Sequence, residues 1–146
     1  MAAQALESLS ALGTQLSEDE RLIQHSVRRF VEERYLPRAG QLFADEAFPR
    51  DLIPELAGLG VLGASIHGHG CAGMTPVQYG LILQELEYGD SGLRSFVSVQ
   101  GSLAMYAISA LATRRKRSAS CRAWRVANAS VASDSLSPTA VRILVR

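Results

Sequence analysis

Thr75, Pro76 and Gln78 constrain the fold of this 146-residue chain more tightly than any other feature. Threonine at an N-cap, proline at the first helical position and glutamine three residues after the threonine form a capping box. In a capping box, side chains satisfy backbone N–H groups at the helix start. The apolar-rich run that follows is VQYGLILQELEYG. We therefore predict a helix that starts after Thr75 and ends near Gly89.

A second capping box, Ser17 with Glu20, predicts the start of an earlier helix. Apolar residues follow it at helical spacing as far as a proline, and a proline disfavours the helical conformation in the residue before it. We therefore expect Pro37 to end this helix near Tyr35 or Leu36.

Two further helices complete the prediction. A short helix is expected within residues 49–59, and a glycine-rich loop is expected at residues 63–74. Asp90 or Ser91 is expected to cap a long final helix, which is apolar on most sides and rich in small residues, so we expect it to be buried. Residues 17–111 thus predict an all-α fold of four main antiparallel helices, with no strand and no internal repeat.

The composition and the first residues of the chain bear on its location. No apolar run approaches membrane-spanning length, so we expect a soluble chain. Residues 1–16, which we expect to form a flexible arm, hold no basic residue, and this argues against a secretory signal or an arginine-rich mitochondrial leader. Without such a signal, Cys71 and Cys121 are expected to be reduced thiols in the cytoplasm.

Charge and glycine content change abruptly near residue 112. Residues 1–112 hold seven arginines against thirteen acidic residues, a net charge of −6, whereas residues 113–146 hold eight basic residues and one acidic residue, a net charge of +7. All twelve glycines lie before residue 113. The run RRKRS is typical of nucleic-acid or nuclear-targeting patches. One hypothesis is therefore a non-catalytic helical interaction module with a basic, nucleic-acid-binding tail.

Three stretches cover about residues 16–111. They read LSEDERLIQHSVRRFVEERYLPR, FPRDLIPELAGLGVLGASIHGHGCAGM and YGLILQELEYGDSGLRSFVSVQGSLAMY. Together they resemble the N-terminal helical domain of acyl-CoA dehydrogenases, and within that family they are most similar to glutaryl-CoA dehydrogenases. The pattern E-x-x-x-S-G-x-R-S-x-x-S-V in the third stretch is the specific part, and the rest is shared more widely among these flavoenzymes.

The resemblance implies an FAD-dependent oxidoreductase of fatty acid and amino acid catabolism. A complete enzyme has this domain, a middle β domain and a C-terminal helical bundle, forms a homotetramer and passes electrons to electron-transfer flavoprotein. A glutamate in the C-terminal domain removes the α-proton of the acyl-CoA while a hydride passes to FAD. In the glutaryl branch, release of CO2 then gives crotonyl-CoA; another acyl-CoA dehydrogenase subfamily is the alternative. The implied partners include neither nucleic acid nor a membrane.

The resemblance also implies a substrate site at the start of the fourth helix. Arg94 matches the arginine that binds the substrate's terminal carboxylate, Glu87 matches the acid that pairs with it, and Ser95 and Ser98 match the nearby serines. A buried guanidinium holds a carboxylate through two charge-assisted hydrogen bonds, which would favour a dicarboxylic acyl chain. Without the resemblance, a structural ion pair between Arg94 and Glu87 is the favoured interpretation. The catalytic base and the flavin-binding residues are expected outside this chain.

Two other clusters of polar residues stand out in the sequence. His67, His69 and Cys71 have the spacing H-x-H-x-C, but zinc needs about four ligands and no fourth is evident nearby, so we predict no metal site. Arg28 and Arg29, which precede the run VEER, are predicted to lie on a solvated helix face.

The tail departs from the family pattern. Where relatives continue with a segment resembling G-E-x-I-G-C-F-G-L-T-E-P-D-x-G-S-D-P, this chain has VANASVASDSLSPTAVRIL. The amino acids of the tail leave part of each codon undetermined. When codons for the tail are read one base out of frame from Leu111, each shifted codon can encode the matching residue of the family segment. We therefore hypothesise that a one-base insertion or deletion near Leu111, in the gene or in its sequencing, put residues 112–146 out of frame. The chain would then be a truncated fragment with a disordered tail, inactive alone.

Overall fold

The computed structural model describes residues 15–68 and 70–111, so most of the predicted arm and all of the predicted tail lie outside the described residues. The described part contains six α-helices, two π-helical segments and one 3-10 turn and has no strand, which confirms the all-α class. No helix in this part is both long and apolar enough to cross a membrane. In chain order the elements are α1 (Glu18–Phe30), a π segment (Val31–Tyr35), α2 (Leu36–Ala44), a 3-10 turn (Arg50–Leu52), α3 (Ile53–Gly58), α4 (Pro76–Gly89), α5 (Ser91–Ser98), a second π segment (Val99–Met105) and α6 (Tyr106–Leu111).

The first helix begins as predicted but does not end as predicted. The capping box of Ser17 and Glu20 is present in both directions. Pro37 does not end the helix, because the helical path continues through the π segment into α2. The backbone N–H of Leu36 bonds to the carbonyl of Val31, five residues back. The backbone hydrogen bonds thus change from a four-residue to a five-residue spacing just before the proline. Pro37 therefore falls in the first turn of α2, where a missing N–H donor costs little.

The predicted short helix lies within its predicted bounds as the 3-10 turn and α3. Two exposed ion pairs join it to the preceding helical path. Arg34 donates to both oxygens of Glu55 at 2.8 and 2.7 Å, and Arg38 donates to both oxygens of Asp51 at 2.5 and 3.0 Å. The hydrogen bonds from these arginines hold the pKa of each carboxyl below its usual range. These two-pronged hydrogen bonds hold the 3-10 turn and α3 against the helices that precede them.

The capping box at Thr75 is confirmed, and Asp90 is the residue that caps the final helix. That helix is continuous but is divided by the second π segment. The expectation that this helix would be buried holds for one of its sides only. Val99, Leu103 and Tyr106 are exposed because they face away from the side that carries the buried residues Leu93, Val97 and Met105.

The core lies where α1 and the π segment after it pack on α4, and where α4 packs on α5. Gly89, at the end of α4, allows a close approach between α4 and the π segment after α1, since a Cβ there would lie 2.6 Å from Cγ1 of Val31. This contact holds the junction of α4 and α5 against the π segment that follows α1. The buried core side chains include Val27, Phe30, Val31, Tyr35, Leu52, Leu56, Ile82, Leu86, Leu93, Val97 and Met105.

Candidate functional site

The candidate site lies at the junction of α4 and α5. Asp90 has extended backbone angles, φ −170° and ψ 137°, which break the helical path between the two helices. Its carboxylate accepts hydrogen bonds from the backbone N–H groups of Gly92, at 2.6 Å, and Leu93, at 3.2 Å. Because the cap starts α5 within two residues of the end of α4, Glu87 in the last turn of α4 comes close to Arg94 in the first turn of α5.

Glu87 pairs with Arg94 and with Ser91. The Nε of Arg94 donates to Oε2 of Glu87 at 2.7 Å, and the hydroxyl of Ser91 donates to Oε1 at 2.9 Å. The hydrogen bond from Arg94, and after it the one from Ser91, holds the pKa of the Glu87 carboxyl below its usual range. The pair is partly open to solvent, since 36% of the Arg94 side chain and 48% of the Glu87 side chain are exposed. The predicted contact between these two residues is present, although the guanidinium is not buried as expected.

Ser95 and Ser98 lie on α5 beside this pair. Both are half-buried, and Ser98 follows Arg94 by one helical turn on the same face. No hydrogen bond joins either serine to Arg94 or Glu87 among the described residues. The structure thus brings Glu87 and Arg94 together and leaves the two serines as neighbours along the helix.

The pair leaves part of the Arg94 guanidinium available. Arginine carries five N–H donors, and the contact with Glu87 uses the one on Nε. Within the described part of the chain, the Nη groups donate to no side chain. A free carboxylate can bind two such N–H groups side by side, so the arrangement suits recognition of an anionic group.

A buried cluster between α1 and α4 was missed by the sequence analysis. Glu85 is fully buried, and its two oxygens accept from Arg28 Nε and from Gln24 Nε2, the latter at 2.8 Å. The guanidinium of Arg28 also lies 3.7 Å from the centre of the Tyr88 ring. Arg28 is therefore not part of a solvated face, although Arg29 is exposed as predicted. The available signal was Glu85 itself, a carboxylate at helical spacing from Leu81 and Ile82 on an apolar face.

His67 and Cys71 are described and His69 lies outside the described residues; the described part holds no group of three or more residues suited to a metal ion. An open groove of about 350 Å³ is lined by residues of α1 and of the π segment after it and shares no residue with the pair at the α4–α5 junction. The groove is lined by Leu22, His25, Ser26, Arg28, Arg29 and Glu32.

The chain is similar in sequence and in fold to known dehydrogenases. Over 86 residues the chain is 36% identical to benzylmalonyl-CoA dehydrogenase of Aromatoleum aromaticum, a match covering 58% of this chain and 23% of that protein. Its fold is similar to that of two crystal structures of glutaryl-CoA dehydrogenase from Mycobacterium smegmatis. One, in complex with FADH2, has a TM-score of 0.81 and 41% identity and covers 84% of this chain and 32% of the other. The second has a TM-score of 0.79 and 44% identity and covers 82% and 31%.

The chain therefore spans between 23% and 32% of the length of these relatives. The resemblance predicted from its three sequence stretches is confirmed. The family described as acyl-CoA dehydrogenase, N-terminal domain, matches residues 17–122, and this chain belongs to that family.

Proposed function

We propose that this chain is the N-terminal part of an FAD-dependent acyl-CoA dehydrogenase that acts on a dicarboxylic acyl-CoA such as glutaryl-CoA. One observation carries the proposal. Arg94 is held through Nε by Glu87 and keeps its Nη groups available, in a chain 41–44% identical to glutaryl-CoA dehydrogenases.

Arg94 is the residue that selects the substrate in this proposal. Its guanidinium binds the carboxylate at the far end of the acyl chain, and Glu87 keeps the guanidinium in place. Ser95 and Ser98, on the same helix, offer hydroxyl groups beside the bound chain. An acyl chain that ends in a methyl group would leave the guanidinium without a partner, so a monocarboxylic acyl-CoA is disfavoured.

The chemistry also requires groups that the proposal assigns to the complete enzyme and not to this chain. FAD, when bound, would accept the hydride from the substrate, and a glutamate of the C-terminal domain would remove the α-proton. Neither the flavin nor the base is assigned to any residue of this chain. Because catalysis needs base, flavin and substrate held within bonding distance, we expect the chain alone to show no turnover. Assembly as a homotetramer and electron transfer to electron-transfer flavoprotein belong to the complete enzyme in this proposal.

A chimeric enzyme tests the proposal. Residues 17–111 would replace the corresponding domain of the Mycobacterium smegmatis glutaryl-CoA dehydrogenase, and kcat/KM would be measured with glutaryl-CoA and butyryl-CoA. We expect a preference for glutaryl-CoA that Arg94→Gln reduces about 10- to 100-fold, the effect of losing charge-assisted hydrogen bonds. Arg50→Gln, at an exposed arginine away from the junction, is the control and should leave the preference unchanged. Equal efficiency with both substrates, unaffected by Arg94→Gln, would contradict the assignment.

The reading frame of the tail is part of the same proposal. Residues 112–146 lie outside the described residues, and the family match runs eleven residues beyond Leu111. The nucleotide sequence from codon 105 onward decides the question. We expect the flavin-binding segment of the family to appear in the shifted frame. If it is absent from that frame, the tail belongs to the protein, and salt-dependent DNA binding by residues 113–146 becomes the competing function to measure.

A further inference from the structure

Ser91 contacts the candidate site, and although it is a fixed position of the motif, the proposed function gives it no role. It is the first residue of α5, and its hydroxyl reaches back across the helix break to Oε1 of Glu87, 2.9 Å away. The other oxygen of the same carboxylate holds Nε of Arg94. Ser91, Glu87 and Arg94 thus form a chain of two hydrogen bonds that spans the two helices.

We propose that Ser91 is a positioning residue for carboxylate recognition: by holding one oxygen of Glu87, it keeps that carboxylate on the Nε side of Arg94 and leaves the Nη side for a ligand carboxylate. The inference rests on the proposed function, in which Arg94 receives the terminal carboxylate of the substrate.

Two carboxylates compete for the Arg94 guanidinium, that of Glu87 and that of a ligand. Glu87 is about half exposed, so its side chain has room to change rotamer. A carboxylate held at one oxygen only can rotate and pair with either side of an arginine, since both sides present N–H donors at similar spacing. A Glu87 that turned toward the Nη groups would occupy the donors that a ligand carboxylate needs. The Ser91 hydroxyl removes this alternative by fixing the second oxygen.

Ser91 is not required to start the helix. Asp90 caps α5 and accepts from the backbone N–H groups of Gly92 and Leu93. The Ser91 side chain donates its hydrogen bond to Glu87 instead, so replacing Ser91 with alanine should leave α5 intact. This separation makes the effect of the hydroxyl measurable without loss of the fold.

The experiment uses the full 146-residue chain, labelled with carbon-13 and nitrogen-15 for NMR. The Glu87 carboxyl titration and the Arg94 Nε–H resonance would be followed in the wild type, Ser91→Ala, Ser91→Thr and Ser65→Ala. Ser65 is exposed and lies outside the junction, so it is the matched serine-to-alanine control. Glutarate and butyramide would then be titrated into each protein as probes with and without a carboxylate.

We expect Ser91→Ala to raise the Glu87 pKa and to shift the Arg94 resonance, because one donor to the carboxylate is lost. It should also reduce the preference for glutarate over butyramide about three- to tenfold, the effect of one ordinary hydrogen bond. Ser91→Thr, which keeps the hydroxyl, and Ser65→Ala should behave like the wild type.

Two failures are distinguishable. If the wild type prefers glutarate but Ser91→Ala changes neither the Glu87 titration nor that preference, the positioning role of Ser91 is overturned while the role of Arg94 stands. If the wild type shows no preference for glutarate, the role of Arg94 in the proposed function fails. The positioning role of Ser91 then fails as well, because Arg94 receives no ligand carboxylate, even if Ser91→Ala shifts the Glu87 and Arg94 resonances.

Discussion

Glu85 and Glu87 lie two residues apart on α4 and each pairs with an arginine, yet the two pairs occupy opposite environments. Glu85 is fully buried against α1 and pairs with Arg28, whereas the Glu87 side chain is 48% exposed at the end of α4 and pairs with Arg94. Two residues along an α-helix correspond to roughly 200° around its axis, so the carboxylates point to opposite sides. The same residue types are thus assigned different tasks by helical geometry alone.

The difference in burial determines which pair can serve a ligand. A buried ion pair has lost its water, so removing one partner leaves a charge with no compensation. A partly exposed pair contributes little to stability, since water and salt screen it. Arg94 can therefore change partner at small energetic cost, while Arg28 cannot. We expect the Arg28–Glu85 cluster to hold the fold and the Arg94–Glu87 pair to be available for binding.

Breaking the buried pair should give the largest effect. Arg28→Met leaves the Glu85 carboxylate buried without its arginine, and we expect a loss of about 3–5 kcal/mol in the free energy of unfolding. Urea denaturation followed by circular dichroism would measure it. Arg29→Met, at the exposed neighbour on the same helix, is the control, with an expected change within about 0.5 kcal/mol. Adding Glu85→Leu to Arg28→Met should recover much of the loss; a double variant as unstable as the single one would contradict the assignment.

A change at the helix junction should give an intermediate effect. Gly89→Ala places a Cβ 2.6 Å from Cγ1 of Val31, so α4 and the first helical path must separate. We expect a loss of about 1–3 kcal/mol, as for overpacking of a core. Gly80→Ala is the matched control on the same helix, because a Cβ there meets no atom within 4 Å. It should be neutral or stabilising, since alanine favours helix over glycine. Equal effects of the two substitutions would show that the approach at Gly89 is not close.

The exposed pair should show a small pH-dependent contribution. The folded-state pKa of Glu87 is lowered by its hydrogen bonds from Arg94 and Ser91. Its contribution to stability is therefore present above the unfolded-state pKa and is lost as the pH falls through the lowered folded-state pKa. Urea denaturation of the wild type and Glu87→Gln should differ slightly at neutral pH and converge in acid. A difference that grows on acidification would have the wrong sign.

Salt should give the smallest effect and separate the two pairs. Raising ionic strength from about 0.01 M to about 1 M shortens the Debye length from roughly 30 Å to roughly 3 Å, and this screens exposed charges far more than buried ones. The stability difference between the wild type and Glu87→Gln should therefore shrink with salt. The difference between the wild type and Arg28→Met should persist. Equal salt sensitivity of both differences would mean that the two pairs do not differ in burial as described.

The helix starts were predictable because capping is local. Ser17 with Glu20 and Thr75 with Gln78 form their hydrogen bonds within four residues, so the signal lies entirely in a short stretch of sequence. The end of the first helix was not predictable in this way. The rule that a proline ends a helix assumes a regular hydrogen-bond ladder, and the π segment before Pro37 changes that ladder by one residue.

The candidate site was likewise predictable only in part. Glu87 and Arg94 were predicted as a pair from the family motif, and their short separation in sequence made contact across one helix break possible. Ser91 was considered only as a cap, because the motif does not show which polar group at the junction will bind which backbone or side-chain partner. The structure assigns the cap to Asp90 and the carboxylate contact to Ser91.

The sequence by itself determined the all-α class, the helix starts and the family, since these depend on local hydrogen bonding, on periodicity and on motifs. Tertiary structure alone decided that Glu85 would be buried with a partner 57 residues away while Glu87 stayed near solvent. It also decided that Gly89 is needed for packing against Val31. The physical reason is that burial and close approach depend on which helix faces meet, and a stretch of sequence does not contain the surface that will cover it.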